Sequence, residues 1–256
     1  MTHIDEKSRG RKHFIIGDCQ TKDGVRLDHL EWAGKYAAEK TPDVIVCIGD
    51  FADMPSLSSY DKGKRAFEGR RYGKDIAAAH RGMKLLRTPI DTEMKKTGWK
   101  PKFILTLGNH EDRINRATND DPKLEGLIGI GDLPYSGWTV YPYLQQVVVD
   151  GVAYCHYFTS GVLGRPVTSA RALNSKKHMS CVMGHVQRKE IDIQYTGAGK
   201  RITSIFAGSY YQHKEDYLGP QGNQHWHGCW MLHQVKDGQF DEMPISLSYL
   251  KSRYSK

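Results

Sequence analysis

Short apolar strings bounded by Gly, Asp and Asn recur along the chain: HFIIGD (13–18), VIVCIGD (44–50), FILTLGN (103–109), VVVDGVAYCHYF (147–158), SCVMGH (180–185) and ITSIFAGS (202–209). Such strings, mostly short and rich in β-branched residues, predict buried strands. Between the early ones the period changes. Leu27, Leu30, Gly34 and Ala37 fall on one helical face, and Ile76, Ala79, Met83, Leu86 and Ile90 fall on another. Strand, helix, strand, helix, strand predicts parallel βαβ units. Beyond residue 140 the strands are closely spaced, with one helix expected over 168–177 and a hairpin around Lys236-Asp237-Gly238. This predicts a second, more antiparallel sheet. With no repeat, low-complexity tract or linker, the economical reading is one α/β domain over 1–256.

Composition narrows the class without naming it. The 256 residues are 39% hydrophobic and 26% charged, which excludes disordered, collagenous and small disulfide-scaffold proteins. The longest apolar runs, such as Val44 to Ile48, fall far short of the roughly 20 residues a spanning helix needs. The charged N-terminus lacks a signal-peptide pattern, which predicts a cytoplasmic protein with no membrane partner. Five cysteines, Cys19, Cys47, Cys155, Cys181 and Cys229, are odd in number, widely spaced and without a CxxC pair. Cys47, Cys155 and Cys181 are read as reduced core residues, whereas the position of Cys19 leaves its direction open.

Charge adds a candidate partner. Lys+Arg 37 against Asp+Glu 29 gives +8, concentrated at Lys7 to His13, Lys62 to Lys74, Lys176 to His178 and the C-terminal KSRYSK. Such runs suit a polyanion, or are simply solvated loops and tails. The 62–74 cluster interleaves Tyr60, Phe67 and Tyr72, the mixture of cations and stacking rings that single-stranded nucleic acid binders use.

The strand ends share a feature that core packing does not explain. They carry Gly17-Asp18-Cys19-Gln20, Gly49-Asp50-Phe51-Ala52-Asp53, Gly108-Asn109-His110-Glu111, then His156, then Gly184-His185-Val186-Gln187. Singly, each is explained by a turn, an N-cap or a core histidine. Jointly they bring oxygen and imidazole donors to the carboxyl ends of parallel strands, where α/β sheets bind ligands.

These blocks, GDCQ, GDFAD, GNHED, the His of YCHYF and GHVQ, resemble in order the DxH, GDxxD, GNH[ED], H and GHxH motifs of calcineurin-like metallophosphoesterases, over 18–187. The segment MPSLSSYDKGKRAFEGRRYGKDI (54–76) is also similar to members from bacteriophage genomes, which would place the protein in a host cytoplasm. The resemblance implies a four-layer αββα sandwich with two mixed sheets and a binuclear metal centre. One metal would be held by Asp18, Gln20, Asp50 and Gln187, and the other by Asp50, Asn109, His156 and His185. Two family histidines are replaced, by Gln20 and Gln187, and both replacements fall on the first metal. The exchange removes nitrogen donors and leaves an oxygen-rich set, so Mn²⁺ is the expected ion, with Mg²⁺, Ni²⁺ and Zn²⁺ as alternatives, and the first site is the weaker.

In such a centre two cations roughly 3.5 to 4 Å apart clamp a phosphate and turn a bridging water into a nucleophile. His110 would assist the leaving oxygen, with Asp53 orienting its imidazole, and Arg113 would reach a substrate phosphate or remain a surface residue. His213, His225 and His227 lie outside the blocks and are read as peripheral, unless the later loops bring them to the crevice. The leading expectation is a metal-dependent phosphodiesterase or nuclease acting on nucleic acid or nucleotides. A phosphomonoesterase, and a catalytically weak nucleic-acid-binding protein with a degraded first site, are the alternatives.

Overall fold

The computed structural model describes residues 10–214 and 225–255. Lys7 to Arg9 of the first basic cluster and the terminal Lys256 lie outside the described residues. The order is β1 (Arg11–Ile16), α1 (Asp28–Lys40), β2 (Val44–Cys47), α2 (Tyr72–Thr97), β3 (Lys102–Thr106), α3 (Asp112–Asp120), β4 (Thr139–Tyr141), β5 (Val147–Val149), β6 (Val152–Cys155), β7 (Thr159–Ser160), β8 (Arg165–Pro166), α4 (Ala170–Lys177), β9 (Cys181–Met183), β10 (Lys189–Tyr195), β11 (Arg201–Ala207), β12 (Gly228–Lys236), β13 (Gln239–Ser246) and α5 (Leu247–Tyr254). Short 3₁₀ turns fill the segment between Pro55 and Phe67.

One sheet runs β13-β12-β1-β2-β3-β4 and the other β10-β11-β9-β6-β5, both mixed. Alternation within the strands explains how they stack. Phe14 and Ile16 of β1, Ile45 and Cys47 of β2, and Phe103 and Leu105 of β3 pack with α1 and α2. The intervening Ile15, Val46 and Ile104 meet Val152, Tyr154, Val182 and Ile205 of the second sheet. On the far side Ala153, Cys155, Cys181, Met183 and Phe206 pack under Ala170 and Leu173 of α4. Three buried clusters thus separate four layers, helices, sheet, sheet, helix, the expected αββα sandwich. Strands buried on both faces read as unbroken apolar runs, which is why the sequence shows strings rather than alternation. Each fully buried Ile, Leu or Val contributes roughly 1.5–3 kcal/mol. Polar links also cross between the sheets: Trp230 Nε1 donates to the Ala207 carbonyl at 3.0 Å, and His13 Nδ1 lies 2.6 Å from the Tyr154 hydroxyl.

Two expectations are corrected. The string 147–158 is not one strand, because Asp150 and Gly151 take left-handed φ values of 50° and 82° and turn β5 back on β6 as an antiparallel hairpin. The second sheet is also less antiparallel than the close spacing suggests. Its centre, β11-β9-β6, is parallel, and only its edges are antiparallel. Helix α4 crosses between β6 and β9, so the chain repeats in the second sheet the βαβ logic of the first.

All five cysteines are free and buried, and Cys19 points into the helix-side core with its thiol donating to the Gly17 carbonyl. Among the described residues no helix is long and apolar enough to cross a membrane.

Candidate metal centre

Strands β1, β2 and β3 lie side by side and parallel, and β6 and β9 do so in the facing sheet. The loops leaving their carboxyl ends therefore meet over the middle of the sandwich. Two glycines set how closely they meet. A Cβ on Gly108 would overlap the Asp50 carboxylate and backbone nitrogen, and one on Gly184 would overlap the Asp18 carboxylate and Ile48. The Asp18 carboxylate accepts the His185 backbone N–H with both oxygens 3.1 Å away.

Asp50, His156 and His185 bring one ligand atom each to within 4.8 Å of one another. Asn109 Oδ1 completes the group, 2.9 Å from His156 Nε2 and 2.8 Å from His185 Nδ1. The donor pattern fits a cation. His156 Nδ1 lies 3.0 Å from the Ile48 carbonyl, which only accepts, so this nitrogen carries the proton. The lone pair of Nε2 then faces Asn109 Oδ1 and, at 3.3 Å, Asp50 Oδ2. Acceptors turned on one another in a buried place repel unless a positive charge sits between them. Burial alone would make His156 less basic, yet the Asp50 charge prevails and pushes its pKa up to about 9. A proton and a metal ion would compete for this nitrogen. Burial and the neighbouring His156 push His185 down to about 4, so it is a neutral imidazole near pH 7. Asp50 is buried, which would raise its pKa, but His110 and His156 hold it well below the usual carboxylate range. Asp50, His185, Gln20 and Gln187 all have positive φ, between 45° and 64°. Left-handed backbone at non-glycine residues is strained, and it concentrates where the surrounding structure fixes a site.

The residues assigned to a first metal are arranged differently. Asp18 is fully buried, and burial pushes its pKa up to about 7. Gln20 is fully buried with neither its amide oxygen nor its nitrogen hydrogen-bonded among the described residues. A hard cation beside Asp18 would satisfy the amide oxygen of this side chain. Gln187 is engaged, its Oε1 accepting from the Tyr211 hydroxyl at 2.7 Å, and that hydroxyl lies 2.9 Å from His225 Nδ1. His213 stacks on the Tyr211 ring at 4.5 Å, and His227 meets the ring edge-on at 4.8 Å. The three peripheral histidines thus gather around the tyrosine that holds Gln187.

Beside the metal group runs a second chain of contacts. His110 Nδ1 lies 2.6 Å from Asp53 Oδ1, its backbone N–H donates to Asp50 Oδ1 at 2.9 Å, and its Nε2 lies 3.6 Å from Asp50 Oδ2. Burial would lower the His110 pKa, but Asp50 and Asp53 together raise it above the ordinary value. Arg113, at the start of α3, donates to the Asp53 carbonyl at 2.7 Å and approaches His110 Nε2 at 3.3 Å. Lys22 Nζ reaches the other Asp53 oxygen at 3.1 Å.

Three contributors were not singled out from sequence. Glu111 is fully buried, and its two oxygens accept from the backbone of Asp50, Ala52 and Gly108 and from the Tyr135 hydroxyl, all within 2.8–3.0 Å. It ties the Asp50 loop to the Asn109 loop. Its place in the GNHED block was the available signal. Lys22 and Tyr211 lie outside every block, and only the folded chain brings them to Asp53 and Gln187.

No protein-family model matches the chain, and the comparison with curated proteins finds no match. Among solved structures, the chain is similar to Yfce, a phosphoesterase from E. coli, at 12% identity, covering 92% of this chain and 100% of that one with a TM-score of 0.38. A second structure aligns at 12% identity over 93% of this chain and 100% of its own, with a TM-score of 0.35. At that distance the likeness adds nothing to the site, whose reading rests on its own geometry: a buried, convergent set of oxygen and imidazole donors flanked by a carboxylate-oriented histidine.

Proposed function

We propose that this chain is a metal-dependent phosphoesterase and, within that class, a phosphodiesterase acting on nucleic acid or nucleotides. The carrying observation is the convergence of Asp50, Asn109, His156 and His185 next to a histidine oriented by Asp53. Asp50, Asn109, His156 and His185 would hold one divalent ion, and Asp18, Gln20 and Gln187 would share Asp50 around a weaker one. When bound, divalent cations supply Lewis-acid stabilisation of phosphoryl charge and a nucleophile at neutral pH. The oxygen-rich set suits Mn²⁺ or Mg²⁺.

The chain's own residues account for the rest. Asp53 accepts the Nδ1 proton of His110, which leaves Nε2 as the atom that exchanges a proton with the leaving oxygen. The Asp50 and Asp53 charges make the imidazole more basic against burial and the Arg113 charge, which suits it to hold a proton for the leaving oxygen. Arg113, held by the Asp53 carbonyl, adds fixed positive charge beside that nitrogen. The net charge of +8 and the cationic segment 62–74 favour a diester within a polyanion over a lone monoester.

The test is hydrolysis of bis-p-nitrophenyl phosphate and p-nitrophenyl phosphate side by side, by metal-stripped protein given Mn²⁺, Mg²⁺, Ni²⁺ or Zn²⁺, with Asp50→Asn as control. Mn²⁺-dependent diester cleavage that the control lacks is expected. Preferential cleavage of the monoester would replace diesterase with phosphomonoesterase. Cleavage of neither ester under any metal would favour a binding protein, the reading that the engagement of Gln187 by Tyr211 supports.

A further inference from the structure

Beyond His110 the surface opens into a cleft of about 580 Å³, within the roughly 300–1,000 Å³ of sites that enclose organic ligands. Asp53, His110 and Arg113 form its inner end, and the 55–71 insert with the first turn of α2 forms its mouth. Asp50, His156 and His185 do not line it, so the cleft lies on the His110 side of the metal group.

Its charges are sorted by depth. The deeper carboxylates are already satisfied: Asp53 by His110 and Lys22, Asp75 by the Ser56 N–H at 2.9 Å, and Asp61 by Arg70 at 2.7 Å. The mouth carries Lys64, Arg71 and Lys74 against Glu68 and Asp23. Lys64 and Lys74 are 62% and 59% exposed and reach their carboxylates only at 3.3 and 3.6 Å. Arg71 is exposed and donates to the Arg70 carbonyl. Exposed pairs of this kind contribute little, so an incoming phosphate exchanges for them readily. The 26-residue helix α2 also starts at this mouth with no side-chain cap, its dipole offset by Asp75 in the first turn. On the same insert Tyr60 is 79% exposed, a ring available for stacking.

We propose that this cleft seats the leaving-group flank of a single-stranded nucleic acid, with Lys64, Arg71 and Lys74 contacting the phosphates that follow the scissile one. The inference rests on the phosphodiesterase reading, because it takes His110 as the group facing the leaving oxygen. A lone phosphate at the metal group does not reach both ends of the cleft. A strand, whose phosphates are covalently continuous, does.

The experiment is fluorescence anisotropy of a short fluorescein-labelled oligothymidylate with full-length Asp50→Asn protein and Mn²⁺, across a salt series. Adding Lys64→Glu, Arg71→Glu and Lys74→Glu should weaken binding at least about tenfold. It should also flatten the slope of log Kd against log salt by about 2, as three single-strand contacts at about 0.7 each require. The charge-keeping set Lys64→Arg, Arg71→Lys and Lys74→Arg should restore both. Unchanged affinity and slope in the glutamate variant, or equal loss in the charge-keeping variant, would overturn the proposal. The underlying reading is tested separately with Asp50 intact. A parent that cleaves no diester sinks that reading, while one that cleaves diesters yet binds the strand no better than the glutamate variant sinks this proposal alone.

Discussion

Replacing Glu111 by glutamine tests whether one buried carboxylate holds the Asp50 and Asn109 loops in register. Its Oε1 accepts from Ala52 N and the Tyr135 hydroxyl, both at 2.9 Å, and its Oε2 from Asp50 N at 3.0 Å and Gly108 N at 2.8 Å. Burial and the Asp50 charge raise the Glu111 pKa, and the four donors oppose them and favour the ionised form. The glutamine amide has one oxygen. Pointing its NH₂ toward Oε2's partners would strand two backbone donors, so it should turn toward Oε1's, where the Tyr135 hydroxyl can reverse and accept. Ala52 N–H is then orphaned, at about 1–3 kcal/mol, and the two remaining backbone bonds fall from charged to neutral strength, losing about 1 kcal/mol each. The expected loss is about 3–5 kcal/mol in urea unfolding, together with weaker Mn²⁺ binding as Asp50 shifts. Tyr135→Phe removes one donor and leaves both loops tied, so it should cost only about 1–2 kcal/mol. A Glu111→Gln protein within 1 kcal/mol of the parent, with metal affinity intact, would refute the clamp.

Other outcomes follow from the same contacts. Mn²⁺ added to chelator-treated protein should raise the thermal midpoint, by about 2.7 kcal/mol of stability at a hundred times Kd, and Asn109→Ala or His185→Ala should abolish the shift; a shift that survives both places the ion elsewhere. His110→Gln should lower kcat by about 10²–10⁴ while the Mn²⁺ midpoint of the thermal shift stays nearly constant, since Nε2 lies outside the donor group; a parallel loss of metal binding would make His110 a ligand. Burial pushes the pKa of the fully buried His29 down to about 3, whereas an unfolded chain takes up that proton near 6.5. The unfolded state therefore binds more protons between these values, so the His29 contribution is complete above pH 6.5 and erodes toward pH 3, by up to about 1.4 kcal/mol per unit. His29→Gln should flatten that part of the stability profile, and an unchanged slope in urea unfolding between about pH 7 and pH 4 would contradict the assignment.

The first sheet was legible because its central strands are buried on both faces and their helices are amphipathic, so period and punctuation coincide at β1, β2 and β3. The turn at Asp150-Gly151 was hidden inside an apolar run, since a two-residue hairpin interrupts hydrophobicity too briefly to break the string. The parallel centre of the second sheet was hidden for a related reason: α4 is only eight residues long and shares the crossover from β6 to β9 with the short strands β7 and β8, so the connection does not read as one helix. At the site, Asp50, Asn109, His156 and His185 were legible because each stands at a strand end beside glycine or in a distinctive block. The partners of the two glutamines were not. Whether Gln187 is engaged depends on Tyr211, 24 positions away along the chain, and whether Gln20 is satisfied depends on everything packed around it.

The glycines at the strand ends have a consequence for anyone who would rebuild this centre. Gly108 leaves room for the carboxylate of Asp50, which belongs to another block, and Gly184 does the same for Asp18. The blocks therefore interlock in pairs, one glycine in each pair supplying the space that its neighbour's carboxylate occupies. Moving a carboxylate block without its glycine partner would set it against a neighbouring loop that has a side chain where this one has none. A graft must carry both members of a pair at their native strand spacing. A search for variants should likewise change Gly108 together with Asp50, or Gly184 together with Asp18, since a side chain added at either glycine alone meets the neighbouring carboxylate.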